Sequence, residues 1–198
     1  MRDYKFLGSF REDNHPSHLP IFPATVWIGR SNSGKSSLIN AVSGKNRLAF
    51  TSKLPGRTRD IVYFGDKNSY YIDLPGYGFA KAGDSHKDFW EKSLSSFILK
   101  NDCISMIFLL IDSRRSFQPL DIEMLDWLEL NDLPYQVILT KIDKLKLKEL
   151  ERVKKEIESL YKLKREVLIS SSKTKKGITE IRYAIEDNNN LFFTNRHQ

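Results

Sequence analysis

The residues best suited to chemistry are Gly29-Arg30-Ser31-Asn32-Ser33-Gly34-Lys35-Ser36. Two glycines separated by four positions, followed by lysine and a hydroxyl residue, cradle polyphosphate when the segment joins a strand to a helix. Gly34 lets the backbone wrap closely around the anion. Successive N–H groups and the helix N-terminus then form an anion-binding concavity. Lys35 brings a point charge to the β- and γ-phosphates, and Ser36 offers a hydroxyl to Mg²⁺. The whole run, with Ser37 in the same helical turn, is taken as nucleotide-binding. Read blandly, the same residues are a glycine-rich turn capping a helix.

Such a loop does not choose between ATP and GTP, so three more segments matter. Asp73-Leu74-Pro75-Gly76 closes a β-rich run. There a carboxylate can hold the Mg²⁺ shell through water, and Gly76 can donate its N–H to a γ-phosphate. Thr140-Lys141-Ile142-Asp143 follows a later strand. Asp143 can accept both N–H donors on the Watson–Crick edge of guanine, a pair that adenine lacks, while the Lys141 stem lies along the base. A buried carboxylate facing adenine would stay unpaired, which is how one residue discriminates strongly. Ser170-Ser171-Ser172-Lys173 follows the last strand, where backbone N–H groups can meet guanine O6. In the loop Leu54-Pro55-Gly56-Arg57-Thr58, Thr58 is a candidate second hydroxyl for Mg²⁺. It engages when a γ-phosphate orders the loop. Gly56, Arg57, Arg59 and Asp60 are grouped with it as nucleotide-side residues.

These segments need elements to place them. Ala24 to Ile28 reads as a short buried strand and Lys35 to Ser43 as a helix. Ile61 to Phe64 and Tyr70 to Ile72 flank a turn-like GDKNS and read as a hairpin. Helical and strand patterns then alternate: a helix over Asp84 to Lys100, a wholly apolar strand over Ile104 to Ile111 and a helix over Leu120 to Leu130. A strand over Gln136 to Leu139, a charged amphipathic helix over Leu147 to Leu163, a strand over Glu166 to Ile169 and a helix over Ile178 to Asp187 complete the series. The expected fold is α/β: a six-stranded, mostly parallel sheet with one antiparallel edge strand and helices on both faces. Residues 1–23 form an N-terminal arm, which can add one edge strand. Residues 24–187 form the nucleotide-binding domain, and 188–198 a flexible tail.

Composition removes other classes. The chain has 198 residues with 40% hydrophobic and 29% charged, enough for a packed core. Its one cysteine, Cys103, makes neither an intrachain disulfide nor a cysteine-rich zinc site, and it reads as a buried small hydrophobe. His15, His18, His86 and His197 show no metal-ligand spacing. No apolar run is long enough to span a membrane, and the N-terminus lacks the apolar stretch of a signal peptide, so cytoplasm is the expected compartment.

Together the segments resemble the translation-factor-related branch of P-loop GTPases, and most closely the EngB type, also called YihA or YsxC. The carrying residues are GRSNSGKSSLIN (Gly29 to Asn40), LPGRT (Leu54 to Thr58), DLPGYGFAKA (Asp73 to Ala82), LLIDSRRSFQPLDIEMLDWL (Leu109 to Leu128), LTKIDKL (Leu139 to Leu145) and SSKTKKG (Ser171 to Gly177). They cover residues from about 20 to about 187. The phosphate loop and TKID are general to GTPases, whereas GYGFAKA and IDSRRSFQPLD are more specific to this family. The resemblance implies a P-loop GTPase domain that hydrolyses GTP to GDP with Mg²⁺. It also implies a role in late assembly of the large ribosomal subunit, with ribosomal RNA or a pre-ribosome as partner, and a monomer. The family usually has Gln and Asn where this chain has Arg59 and Val62, and Glu where it has Ala24.

Many GTPases place a glutamine after the DxxG motif to orient water; here Tyr77 stands there, so intrinsic hydrolysis is expected to be slow. Help then comes from a partner, foremost the ribosomal particle, or from a monovalent cation. In related potassium-activated GTPases an asparagine at the place of Asn32 coordinates K⁺; a bland reading has Asn32 tolerate an unusual backbone. Lys35, Thr58, Gly76 and Asn32 are thus the candidate catalytic residues. Arg57, Arg59, Arg114 and Arg115 are candidates for a catalytic cation or an RNA contact. Competing readings are a nucleotide kinase on the same loop, or a GTPase acting in RNA modification or transport.

The formal net charge is +7. All of the excess lies between Lys141 and Lys176, which hold 13 Lys+Arg and 6 Asp+Glu. Lys144, Lys146, Lys148, Lys162, Lys164, Arg165, Lys175 and Lys176 are a candidate RNA-facing surface, against the plainer reading of a solvated helix face.

Overall fold

A computed structural model describes residues 3–10, 16, 18–49, 60–77, 94–115, 117–161 and 163–196. Its strands are β1 (Lys5–Phe10), β2 (Ala24–Gly29), β3 (Ile61–Gly65), β4 (Tyr70–Asp73), β5 (Ile104–Asp112), β6 (Tyr135–Thr140) and β7 (Leu168–Ile169). The α-helices among the described residues are α1 (Lys35–Ser43), α2 (Ser95–Lys100), α3 (Pro119–Leu130), α4 (Leu147–Leu160) and α5 (Ile178–Arg196). Residues 78–93, which include His86 and most of the helix expected from Asp84, lie outside the described part, as do His15 and His197.

One sheet joins all seven strands in the order β1-β3-β4-β2-β5-β6-β7. β2 pairs in parallel with both β4 and β5, and the parallel run continues through β6 to β7. Every residue of β2 is buried, as expected of a central strand covered on both faces. The strand count is one higher than expected, because the N-terminal arm supplies β1, antiparallel to β3. β3 therefore runs against both neighbours from inside the sheet, and β1 is the edge. Aromatic packing holds the arm there. Tyr4 stacks on Tyr71 with ring centroids 3.9 Å apart, and Phe10 meets Tyr63 edge-on at 5.5 Å. The buried Tyr4 hydroxyl lies 2.7 Å from Ser69 Oγ.

Alternation along the strands sends side chains into two cores. Val26, Ile28, Ile107, Leu109 and Ile111 pack with Phe97 of α2, Leu125 and Leu128 of α3, and Val153 and Ile157 of α4. Trp27, Met106, Phe108, Leu110 and Ile138 pack with Leu38 and Ile39 of α1 and Ile178, Ile181 and Ile185 of α5 on the opposite face. Cys103 is buried in the first of these cores.

In the C-terminal segment, expected as a flexible tail, α5 runs unbroken to Arg196. Its asparagines have weak helix propensity, but tertiary contacts override it. Asn188 and Asn189 are buried. Arg165 donates to Asn188 Oδ1 at 2.9 Å, and Arg196 donates to the Asp102 carbonyl at 3.1 Å.

Candidate nucleotide site

β2 delivers the chain to the phosphate loop. Its last residue, Gly29, has no room for a side chain, since a Cβ there would lie 2.7 Å from Ser33 Oγ and 2.8 Å from the Leu110 carbonyl. Asn32 and Gly34 take left-handed backbone, with φ of 66° and 100°. This bends the loop into α1, whose first residue is Lys35. Asparagine is among the residues that tolerate that conformation, which supplies a backbone reason for Asn32.

Lys35 points across to the end of β4, where its ammonium forms an ion pair with Asp73. Both side chains are about 86% shielded (relative exposures 13% and 14%), so this is not a solvent-screened surface pair. Lys35, Ser36, Asp73, Leu74, Pro75 and Gly76 line one cavity with Ser9 of β1 and Val62 of β3. Gly76 presses on the phosphate loop, since a Cβ there would meet Ser31 N at 3.0 Å. Oxygen donors from a hydroxyl and a carboxylate beside a lysine suit a hard divalent cation bridged to phosphate. Gly56, Arg57, Thr58 and Arg59 lie outside the described residues. Asp60 accepts a hydrogen bond from Ser9 Oγ at 2.9 Å.

The loop after β6 is tied to the phosphate loop. Thr140 Oγ1 donates to the Ser33 carbonyl at 2.5 Å. Lys141, with φ of 59°, extends its ammonium to the Asn32 carbonyl at 2.5 Å and to Asp112 Oδ2 at 2.9 Å. Ile142 N–H donates to the Ser170 carbonyl at 3.2 Å. Ser171 Oγ donates to Asp143 Oδ1 at 2.7 Å, and this bond holds the Asp143 carboxyl below its ordinary range. Ser170 and Ser171 are buried, whereas Ser172 is partly and Lys173 largely exposed. Gly177 closes the loop at φ 77°, with its Cβ position 1.8 Å from the Ile169 carbonyl. Only glycine fits there.

Sequence reasoning missed two carboxylates. Asp112 ends β5 and receives Arg114 in bidentate fashion, Nε at 2.9 Å and an Nη at 2.6 Å, besides Lys141. Burial works against its charge, but Arg114 and Lys141 outweigh it and hold the carboxyl at about 2. Arg114 is thus committed to Asp112. The available signal was an aspartate closing an apolar strand directly before two arginines. The second is Asp121, buried at the start of α3, which accepts the Tyr77 hydroxyl at 2.9 Å. Burial, with the Asp121 charge adding to it, pushes the Tyr77 phenol well above its ordinary value. The Asp121 carboxyl is likewise raised by burial. Tyr77 therefore sits in the core, away from any water-orienting role. Among the described residues, no three of His, Cys, Asp and Glu cluster as a metal site.

A glycine loop between a central strand and a helix, a lysine paired to the aspartate of the neighbouring strand, and an anchored TKID loop define a P-loop GTPase. Residues 24–141 match the family described as 50S ribosome-binding GTPase. The chain is 43% identical over 179 residues to the probable GTP-binding protein EngB of Aquifex aeolicus (strain VF5), covering 89% of this chain and 95% of that protein. It is 40% identical over 188 residues to the probable GTP-binding protein EngB of Bacteroides thetaiotaomicron, covering 89% and 90%. A crystal structure of a probable GTP-binding protein engB superimposes with a TM-score of 0.71 at 26% identity, over 85% of this chain and 99% of that one. The chain belongs to the EngB family of GTP-binding proteins and is a GTPase. No helix among the described residues is long and apolar enough to cross a membrane.

Proposed function

We propose that this GTPase is a switch in assembly of the large ribosomal subunit, required for normal growth and division, acting as a cytoplasmic monomer. The observation that carries this reading is the match of residues 24–141 to 50S ribosome-binding GTPases, joined to EngB relatives that align over nearly their whole length.

In this reading Gly29 to Ser37 wrap the phosphates, and Asp143 reads guanine while Ser170 to Lys173 face O6. Ser36 and Thr58 would offer hydroxyls to Mg²⁺ and Asp73 a carboxylate to its water shell, where the bound ion would supply charge neutralisation to the phosphates. Lys35 leaves Asp73 for the phosphates, which frees the carboxylate for the metal's water shell. Leu74 and Pro75 carry Gly76 to the γ-phosphate. Gly56, Arg57, Arg59 and Asp60 are assigned to the nucleotide side with Thr58. Tyr77 orients no water, so turnover is slow until the ribosomal particle contributes. A K⁺ role for Asn32 rests on resemblance alone, and equal turnover in KCl and NaCl at matched ionic strength removes it.

The charge distribution favours RNA as the surface the switch meets. Arg165 bonds the buried Asn188 and so serves the fold, whereas Lys164, paired with Asp132 at 2.5 Å, stays exposed. Lys144 and Lys146 before α4, Lys148 in its first turn, and Lys175 and Lys176 on the loop before α5 stay exposed. Lys162 lies outside the described residues.

Co-sedimentation with 50S precursors, in a non-hydrolysable GTP analogue and in GDP across a salt series, tests the proposal. Binding should favour the GTP analogue and weaken steeply with salt. Depletion in cells should accumulate large-subunit precursors. Unchanged precursors, with no co-sedimentation, would sink the ribosomal assignment.

A further inference from the structure

Residue 77 fastens three parts of the molecule. Its N–H donates to the Gly29 carbonyl at 3.3 Å, and its carbonyl accepts from Ser31 N–H at 3.2 Å, so its backbone runs as a bridge along the phosphate loop. Its ring is buried with 5% exposure, and its hydroxyl donates to Asp121 Oδ1 at 2.9 Å. Asp121 is 3% exposed, and its other oxygen accepts the Gln118 backbone N–H at 3.1 Å as part of the cap that starts α3. Pro119 at the first helical position fixes that cap further. The carboxylate is therefore held by a rigid helix start, and the tyrosine is held by the carboxylate.

Gly76 is the residue directly before this anchor, and it already packs against Ser31 N. Its N–H can aim at a phosphate only if the peptide between residues 75 and 77 is fixed on both sides. On the N-terminal side, Leu74 N–H donates to the Trp27 carbonyl at 3.2 Å. On the C-terminal side, the restraint is Tyr77.

We infer that the Tyr77–Asp121 hydrogen bond is a latch that sets the position of Gly76 N–H for the γ-phosphate, making Tyr77 and Asp121 positioning residues for the GTP state. This rests on the reading that Gly76 meets the γ-phosphate. The latch acts through one contact that GDP cannot make, so it discriminates between nucleotides. A tyrosine that merely filled the core would affect GTP and GDP alike.

The test is Tyr77→Phe, which keeps the ring and removes only the hydroxyl. Affinities for GDP and a non-hydrolysable GTP analogue are measured by fluorescent-nucleotide titration, with hydrolysis followed in single turnover. The expected result is about tenfold weaker binding of the GTP analogue, with GDP affinity changed less than about twofold, and a similar fall in the single-turnover rate. Asp121→Asn, which disturbs the same bond from the other side, should give the same selective loss, and the double variant no more than the worse single one. Parallel loss for both nucleotides, no loss, or multiplying effects would overturn the latch. If one variant does not fold, judged by thermal melting, the other decides. Gly76→Ala separates the latch from the reading beneath it. If that change leaves the GTP-to-GDP ratio intact, Gly76 does not meet the γ-phosphate. If it lowers the ratio while Tyr77→Phe does not, only the latch fails.

Discussion

The Lys141 ammonium lies 2.9 Å from Asp112 Oδ2 and 2.5 Å from the Asn32 carbonyl. One side chain thus joins the end of β5, the loop after β6 and the phosphate loop. Its head is held at both points, which fixes the direction of its stem. Asp112 is the fixed end of this brace, because Arg114 grips its other oxygen.

Asp112→Asn removes the charge that orients Lys141. GDP and GTP should both bind about tenfold more weakly, with their ratio unchanged, because the brace serves the part of the nucleotide common to both. Titration with each nucleotide checks this, and a selective loss of GTP would refute it. The pattern is the opposite of that expected for Tyr77→Phe.

The same carboxylate sets an acid limit. Its folded value of about 2 lies below the ordinary 3.8, so its contribution to stability is fully present above about pH 4 and is lost as pH falls through 2. The contribution is on the order of 2 kcal/mol. Wild-type and Asp112→Asn proteins should therefore differ in denaturant stability at pH 7 and converge between about pH 4 and pH 2. A constant gap over that range would contradict the ion pair.

Asp143→Asn should exchange base preference. An amide presents one acceptor and one donor where the carboxylate presents two acceptors. That pair suits the N1–H and C2 carbonyl of xanthine, not the two donors of guanine. GDP affinity should fall at least about a hundredfold while xanthosine diphosphate becomes the better ligand. Competition binding of the two diphosphates reads this directly.

The parts of the candidate site legible in the sequence are local. Gly29 to Ser36 and Thr140 to Asp143 each carry their geometry in a few consecutive residues, so spacing alone exposes them. Asp112 and Asp121 were illegible because their partners, Lys141 and Tyr77, lie 29 and 44 residues away. No spacing rule encodes a contact made by strand order. β1 was only half legible for the same reason, since its pairing with β3 spans more than 50 residues. The end of α5 is illegible for another reason: its asparagines speak locally against helix, and the contact of Asn188 that works against them comes from Arg165, in the loop before β7.

Gly177→Ala should be among the most damaging single-methyl changes in the chain. The added Cβ would fall 1.8 Å from the Ile169 carbonyl, in a backbone conformation that side chains rarely adopt. The loop carrying Ser170 to Lys173 must then move, costing more than about 1–2 kcal/mol and weakening guanine nucleotides. Thermal melting with and without GDP measures both effects.

The placement of β1 also bears on how the chain is made. Lys5 pairs with Gly65 and Phe10 with Ile61, so during synthesis β1 has no partner until the hairpin follows it. Until then, Phe6, Leu7 and Phe10 are an apolar segment with open backbone groups, and afterwards they cover the free edge of β3. An extension or truncation near residue 5 therefore acts twice: on a nascent chain that must stay unpaired without sticking, and on a finished sheet that would otherwise offer β3 to a second molecule.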